Sequence, residues 1–261
     1  MVGAGRLWLA TSWIKACGRL VGWLDHPSWP AEGVIGVFVL VHGGALWQPV
    51  RDIVAAAGHQ THAPSLIGYG ERAHLARPDL RLLDHVQDLV DLVIGKELSD
   101  VVLVGHSYGG MVITGAAEHL AERLRHLVYV DALAPRDGES ALSISPAWRR
   151  DEILEEARTW GGGVWVPFRN SNDNPPPPGI PLGTLVEPVR LGDPGAARLP
   201  RTFVYCSNPP APMIGPSAER ARTEPGWAFH EFACGHLVQN EMPKELAAVL
   251  LGAMDREPAG G

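Results

Sequence analysis

VVLVGHSYGGMVITGAA, from Val101 to Ala117, decides how this chain folds. Its first four residues are apolar on both faces, as a strand covered by helices on each side must be. Gly105-His106-Ser107-Tyr108-Gly109 then turns the chain, and Met111 to Leu120 continues with helical spacing. A G-x-S-x-G turn between strand and helix lifts one hydroxyl above a sheet. Glycine is needed at its flanks because side chains there would strike neighbouring backbone. Ser107 is therefore the candidate nucleophile. The blander alternative is a glycine-rich turn that binds an anion at a helix N-terminus. A dinucleotide fingerprint is not an alternative, because the turn does not read G-x-G-x-x-G.

Outward from this stretch, short β-branched runs alternate with helical patterns, the signature of an α/β chain with a parallel sheet. Val34 to Val41 (VIGVFVLV) and Leu127 to Val130 read as further central strands. Between the first two strands, Leu82, Val86, Leu89, Val90 and Val93 form a helical stripe with Asp84, Gln87, Asp88 and Asp91 between its members. After Asp131 the periodicity fails, through Gly161-Gly162-Gly163 and the run Pro175 to Pro178, neither suited to a central strand or helix interior. Residues 135–199 read as an inserted cap, partly loop. Alternation resumes at Thr202 to Cys206 and Trp227 to Phe232, and Pro243 to Met254 closes the chain as a helix. The expected organisation is an extension at 1–33, one α/β domain at 34–255, and a flexible tail at 256–261.

The 261 residues are 46% hydrophobic and 20% charged, a globular composition with enough chain for a sizeable core. A formal charge of -7 without a cluster of lysine or arginine gives nucleic-acid binding no electrostatic support. The longest apolar stretch, Val34 to Val41, is far short of the roughly 20 residues a membrane-crossing helix needs. Cys17, Cys206 and Cys234 are too scattered for a disulfide framework or a metal site, which fits reduced thiols in the cytoplasm. Lys15 interrupts what would be the apolar core of an export signal in Met1 to Leu24. No metal or organic cofactor is expected.

Two further segments carry chemistry. His42-Gly43-Gly44 follows the first central strand, and Cys234-Gly235-His236 lies between the last strand and the closing helix. Acyl transfer puts negative charge on a carbonyl oxygen, and each preorganised backbone N–H aimed at it is worth about 3 kcal/mol. Tyr108, after the nucleophile, and Gly44 are the candidate donors. A serine hydroxyl needs a base to take its proton, and His236 stands where the chain order serine then histidine requires one. His42 reads as a structural hydrogen-bonder that holds its loop. His59, His62, His74, His85, His119, His126 and His230 have no comparable position and read as structural.

FVLVHGG, LIGYGERAHL, VVLVGHSYGGMVITGAA, LVYVDALAPRDGES and a late GH before a helix together resemble the α/β-hydrolase superfamily. More narrowly, the chain looks like the bacterial esterases related to plant methyl-salicylate esterases and hydroxynitrile lyases. The likeness spans about residues 34–255. It implies a serine esterase with Ser107 as nucleophile, His236 as base, and Gly44 with Tyr108 as oxyanion donors. It also implies a mostly parallel sheet with helices on both faces and an inserted cap.

Two departures stand out. Relatives usually carry the triad acid after the strand that reads TFVYC here, but this chain has Ser207-Asn208-Pro209-Pro210 and no acid before Glu219. Asp131, at the end of LVYV, is the preferred candidate. Its alternative role is to cap the following segment, and Asn208 and Glu219 remain rivals. Hydroxynitrile lyases of this group place a lysine after the catalytic histidine, whereas Leu237 stands here. The loop HGGALW is also shorter than in typical relatives. Trp148, Trp160, Trp165 and Phe168 either line an apolar pocket or pack the cap onto the sheet. Gly161 to Gly163 are candidates for a hinge. The expected activity is cleavage of a small, mostly apolar carboxylic ester through an acyl-enzyme, with the ester as a small-molecule partner. The alternatives are a lyase using the same histidine as base and a binder without turnover.

Overall fold

The computed structural model describes residues 35–168 and 179–254. The expected extension at 1–33, Cys17, the run Pro175 to Pro178 and the tail after Arg256 lie outside the described residues. The strands are β1 (Val37–Val41), β2 (Gln60–His62), β3 (Val101–His106), β4 (Leu124–Val130), β5 (Trp165–Val166), β6 (Ile180–Pro181), β7 (Arg201–Cys206) and β8 (Trp227–Phe232). The helices are α1 (Gln48–Ala56), α2 (Leu82–Gly95), α3 (Gly109–Leu120), α4 (Ala141–Ile144), α5 (Ala147–Thr159), α6 (Leu182–Val186), α7 (Pro194–Arg198), α8 (Gly215–Thr223), α9 (Val238–Glu241) and α10 (Pro243–Met254).

One sheet runs in the order β2-β1-β3-β4-β7-β8, and every pairing in it is parallel. Parallel neighbours need crossover connections, which cover both faces and force the central strands to be apolar throughout. The side chains divide accordingly. Val39, Val41, Leu103, Leu127 and Tyr129 face the layer that contains α2 and α3. Phe38, Leu40, Val102, Val104, Val128 and Val130 face the layer built with α1 and α10. Burying each such side chain is worth about 1.5–3 kcal/mol, so the two layers hold the sheet far more firmly than strand propensity does.

Helix α2 begins with Asp84 accepting the Arg81 N–H at 2.7 Å, which places a carboxylate at the positive end of the helix. Its stripe Leu82, Val86, Leu89, Val90 and Val93 is buried, as the spacing predicted. The segment 135–199 lies between β4 and β7 and adds α4 to α7 with the antiparallel pair β5 and β6. It is tied back at its base: the Gly138 N–H donates to Val189 O (3.0 Å), and the Val189 N–H to Glu139 O (2.9 Å). Arg220 on α8 grips the Glu139 carboxylate with both guanidinium nitrogens, at 2.5 and 2.6 Å. Gly162 and Gly163 take positive φ in the turn from α5 into β5. Among the described residues no helix is long and apolar enough to cross a membrane.

Candidate active site

At the carboxyl end of β3 the chain reverses into α3, and Ser107 takes φ +55° at the bend. Left-handed backbone is costly for a residue with a side chain and persists only where the surroundings enforce it. Here they do. The Ser107 N–H donates to Val130 O (3.3 Å), and its carbonyl accepts from Gly110 (3.1 Å) and Leu133 (3.0 Å). A Cβ at Gly105 would lie 2.6 Å from Gly109 O, and one at Gly109 would lie 2.6 Å from Val41 O, so the elbow closes only with glycine at both flanks. The Tyr108 amide opens α3, where helix N–H groups have no partner within the helix and the dipole favours negative charge.

Asp131, one residue past β4, also takes positive φ, +41°. Its N–H donates to Val204 O at 2.7 Å, which turns the side chain toward β7 and the loop after β8. There Oδ1 accepts the Cys206 N–H (3.1 Å) and Oδ2 lies 2.6 Å from His236 Nδ1. The Asp131 side chain is wholly buried, whereas that of His236 is 34% exposed, so the pair has one dry end and one open end. A carboxylate accepts only, so His236 Nδ1 carries the proton and Nε2 presents its lone pair. Neither of the acid's two bonds goes to the segment that follows it, so it does not act as that segment's cap. Asn208 and Glu219 are exposed. The Asn208 backbone N–H donates to Cys234 O (3.0 Å), holding the histidine loop without offering it a charge.

Gly44 departs from expectation. Its N–H donates to Ser65 Oγ at 2.7 Å, and Ser65 Oγ donates in turn to Glu71 Oε2 at 2.6 Å. The short loop folds directly into a 3-10 turn, Gly44–Trp47, within reach of the segment after β2. In this conformation the Gly44 amide is spent on Ser65 and reaches a substrate oxygen only if that bond opens. The Ser65 hydroxyl holds the Glu71 carboxyl below the usual carboxylate range, so Glu71 is ionised near neutrality. Ser65 was not singled out by the sequence, and Glu71 stood there only as part of LIGYGERAHL, with no role of its own.

Aromatic rings and imidazoles pack behind these groups. Burial lowers the pKa of His42 to about 4, with His236 and His85 contributing. Burial also lowers that of His85, and drives that of His106 well down. His42 fixes its loop through the backbone, its carbonyl accepting the Leu66 N–H at 2.8 Å, while its ring stands edge-on to Tyr69 and His106. His85 is more than filler. Its Nε2 donates to Ile67 O (2.9 Å), leaving Nδ1 to accept from the Tyr108 hydroxyl (3.2 Å). Of the four rings in 135–199 singled out by the sequence, Trp148 and Trp160 are more than half exposed. Phe168 meets Tyr69 at 5.2 Å between centroids and so joins the ring cluster behind the site. Among the described residues no group of three or more His, Cys, Asp or Glu is arranged to hold a metal ion.

The chain matches the alpha/beta hydrolase family over residues 38–249. It is 35% identical over 239 residues to a carbendazim hydrolyzing esterase of Nocardioides sp., covering 82% of this chain and 97% of that protein. It is 32% identical over 103 residues to salicylic acid-binding protein 2 of Nicotiana tabacum, covering 38% and 40%. Among solved structures it resembles an extracellular alpha/beta-hydrolase from a Paenibacillus species, with TM-score 0.69, 23% identity, and coverage of 84% and 98%.

Proposed function

The chain belongs to the alpha/beta hydrolase family, and from that membership we propose that it is a serine esterase that cleaves a small, mostly apolar carboxylic ester through an acyl-enzyme. The observation that carries this reading is the 2.6 Å bond between His236 Nδ1 and the buried Asp131 carboxylate. That bond fixes the imidazole tautomer a general base needs and stabilises the imidazolium formed when it accepts a proton. The esterases among the relatives support the same reaction.

In this mechanism His236 Nε2 takes the Ser107 hydroxyl proton as Oγ attacks the ester carbonyl. The oxyanion is held by the Tyr108 amide at the start of α3, with Gly44 joining as second donor when Ser65 releases it. The intermediate collapses as His236 protonates the departing alkoxide. Water, deprotonated by the same imidazole, then frees the acid and restores Ser107. Leu237, 47% exposed, brings no charge to the position where the lyases carry lysine, which weighs against a cyanide reaction. The bond to Asp131 weighs against a binder without turnover. The buried free thiols Cys206 and Cys234 support a reducing, cytoplasmic setting.

The test is a fluorophosphonate probe together with a short-chain p-nitrophenyl ester, applied to wild type and Ser107→Ala. Wild type labels and turns over, and the variant does neither, with turnover down about 10⁴-fold or more. A wild type that does not label, or a variant that keeps its turnover, removes the esterase reading.

A further inference from the structure

His106 links the strand that carries the nucleophile to the loop that carries the base. Its side chain is buried at 1% exposure, and its Nε2 lies 2.9 Å from the backbone carbonyl oxygen of His236. A carbonyl only accepts, so Nε2 carries the ring proton. The His106 ring also lies over the His236 ring, with centroids 4.5 Å apart and planes 36° apart. From its other sides the ring is met edge-on by His42 at 5.2 Å and by Trp47 at 6.3 Å. One residue therefore touches the base twice, through its backbone and through the face of its imidazole.

Resting on the reading of Ser107 as nucleophile and His236 as base, we propose that His106 is a positioning residue that sets the height and tilt of the His236 imidazole above the elbow. Asp131 fixes the ring at Nδ1, but one hydrogen bond leaves the ring free to swing about that bond. The face of His106 blocks the swing. The bond to the His236 carbonyl sets the height of the backbone from which the ring hangs. Among the described residues that loop is also held by the Gly235 N–H on Glu241 Oε2 (3.1 Å), the Cys234 carbonyl on the Asn208 N–H and a hydrogen bond between the Cys234 and Cys206 thiols, none of which touches the imidazole.

Stability alone does not account for an imidazole in this place. His106 Nδ1 is buried without a hydrogen bond, so the ring carries a desolvation penalty that nothing repays there. Burial keeps the ring neutral, with His236 and His42 adding to the effect. A phenylalanine would fill the same space without the orphaned nitrogen. What it would lose is the donor to His236.

The experiment compares wild type, His106→Phe, His106→Gln and Ser107→Ala. It reads ester kinetics, the fluorophosphonate labelling rate, thermal unfolding, and the downfield proton NMR line of the Asp131–His236 hydrogen bond. His106→Phe keeps the ring contact and loses the donor. It should melt no lower than wild type, lose about 10–100-fold in kcat with KM within about twofold, and label more slowly by the same factor. Its downfield line should shift or broaden. His106→Gln restores a donor without the ring and should recover part of the loss. A kcat within twofold of wild type with an unmoved line overturns the proposal. Parallel falls in melting temperature and kcat in both variants also overturn it, since that is what packing alone predicts. If Ser107→Ala stays active the esterase reading fails by itself, and the NMR line still reports whether His106 positions His236.

Discussion

The carboxyl ends of β4 and β7 lie side by side, with Val130 paired to Val204, and the two have different parts in the site. The end of β4 supplies charge. Its next residue, Asp131, bends into positive φ and sends a buried carboxylate to His236. The end of β7 supplies no charge: the Ser207 N–H (2.9 Å) and hydroxyl (3.3 Å) both donate to Phe232 O, the Asn208 N–H goes to Cys234 O, and the Asn208 side chain is exposed. In the proposed mechanism the acid comes from β4, whose end bends the Asp131 side chain toward the histidine loop although β7 lies between β4 and β8.

The sharpest way to break this contrast is Asp131→Asn. The amide keeps the shape of the side chain but favours the wrong imidazole tautomer, and kcat should fall by about 10³–10⁴-fold with KM little changed. Adding Asn208→Asp should recover less than about tenfold of that loss, because a carboxylate on the exposed side of β7 does not reach the ring. Steady-state kinetics on the two variants and the double variant decide the point. Full recovery in the double variant would show that the strand ends are interchangeable.

A smaller effect concerns the imidazoles packed near the ends of β1 and β3, which β7 lacks. His42 titrates near 4 in the fold against 6.5 in the unfolded chain. A lowered folded pKa means the unfolded state binds more protons between those values. The stability it contributes is fully present above pH 6.5 and is lost as pH falls toward 4, up to about 3 kcal/mol. Urea unfolding at pH 7 and pH 5 should show a loss of stability that is smaller by about 2 kcal/mol in His42→Phe, the remainder belonging to groups such as His85 and His106 that burial also shifts down. An equal loss in the variant would assign the acid sensitivity to other groups. The smallest change expected is Asn208→Ala, with kcat within about twofold of wild type, since its contribution to the loop comes from a backbone N–H that alanine retains. A loss comparable to that of Asp131→Asn would move the orienting role back to β7.

How much of this was legible depends on burial. The runs at Val37–Val41, Val101–His106 and Leu124–Val130 announce themselves because helices on both faces leave almost no place for polar side chains. Strand β2 reads Gln60-Thr61-His62 and lies at the sheet edge with no fully buried residue, so it carries no apolar signal. Helix α5 is similarly silent: AWRRDEILEEART buries only Ile153 and Ala157, and no stripe can form from two positions. Ser107 and His236 stand out as candidates because a strained turn and a chain order leave marks in sequence. The contact of Asp131 with His236 depends on a backbone bend, which leaves none. His106 was overlooked, although a signal existed: it is the one ionisable side chain in a strand otherwise made of Val, Leu and Gly.

The segment between β4 and β7 leaves the sheet and returns to it at points already joined, for Asp131 N–H meets Val204 O, and Cys206 N–H meets the Asp131 carboxylate. The bonds that join Asp131 to Val204, Cys206 and His236 therefore all lie outside 135–199, and a cut at each end of that segment leaves every one of them made.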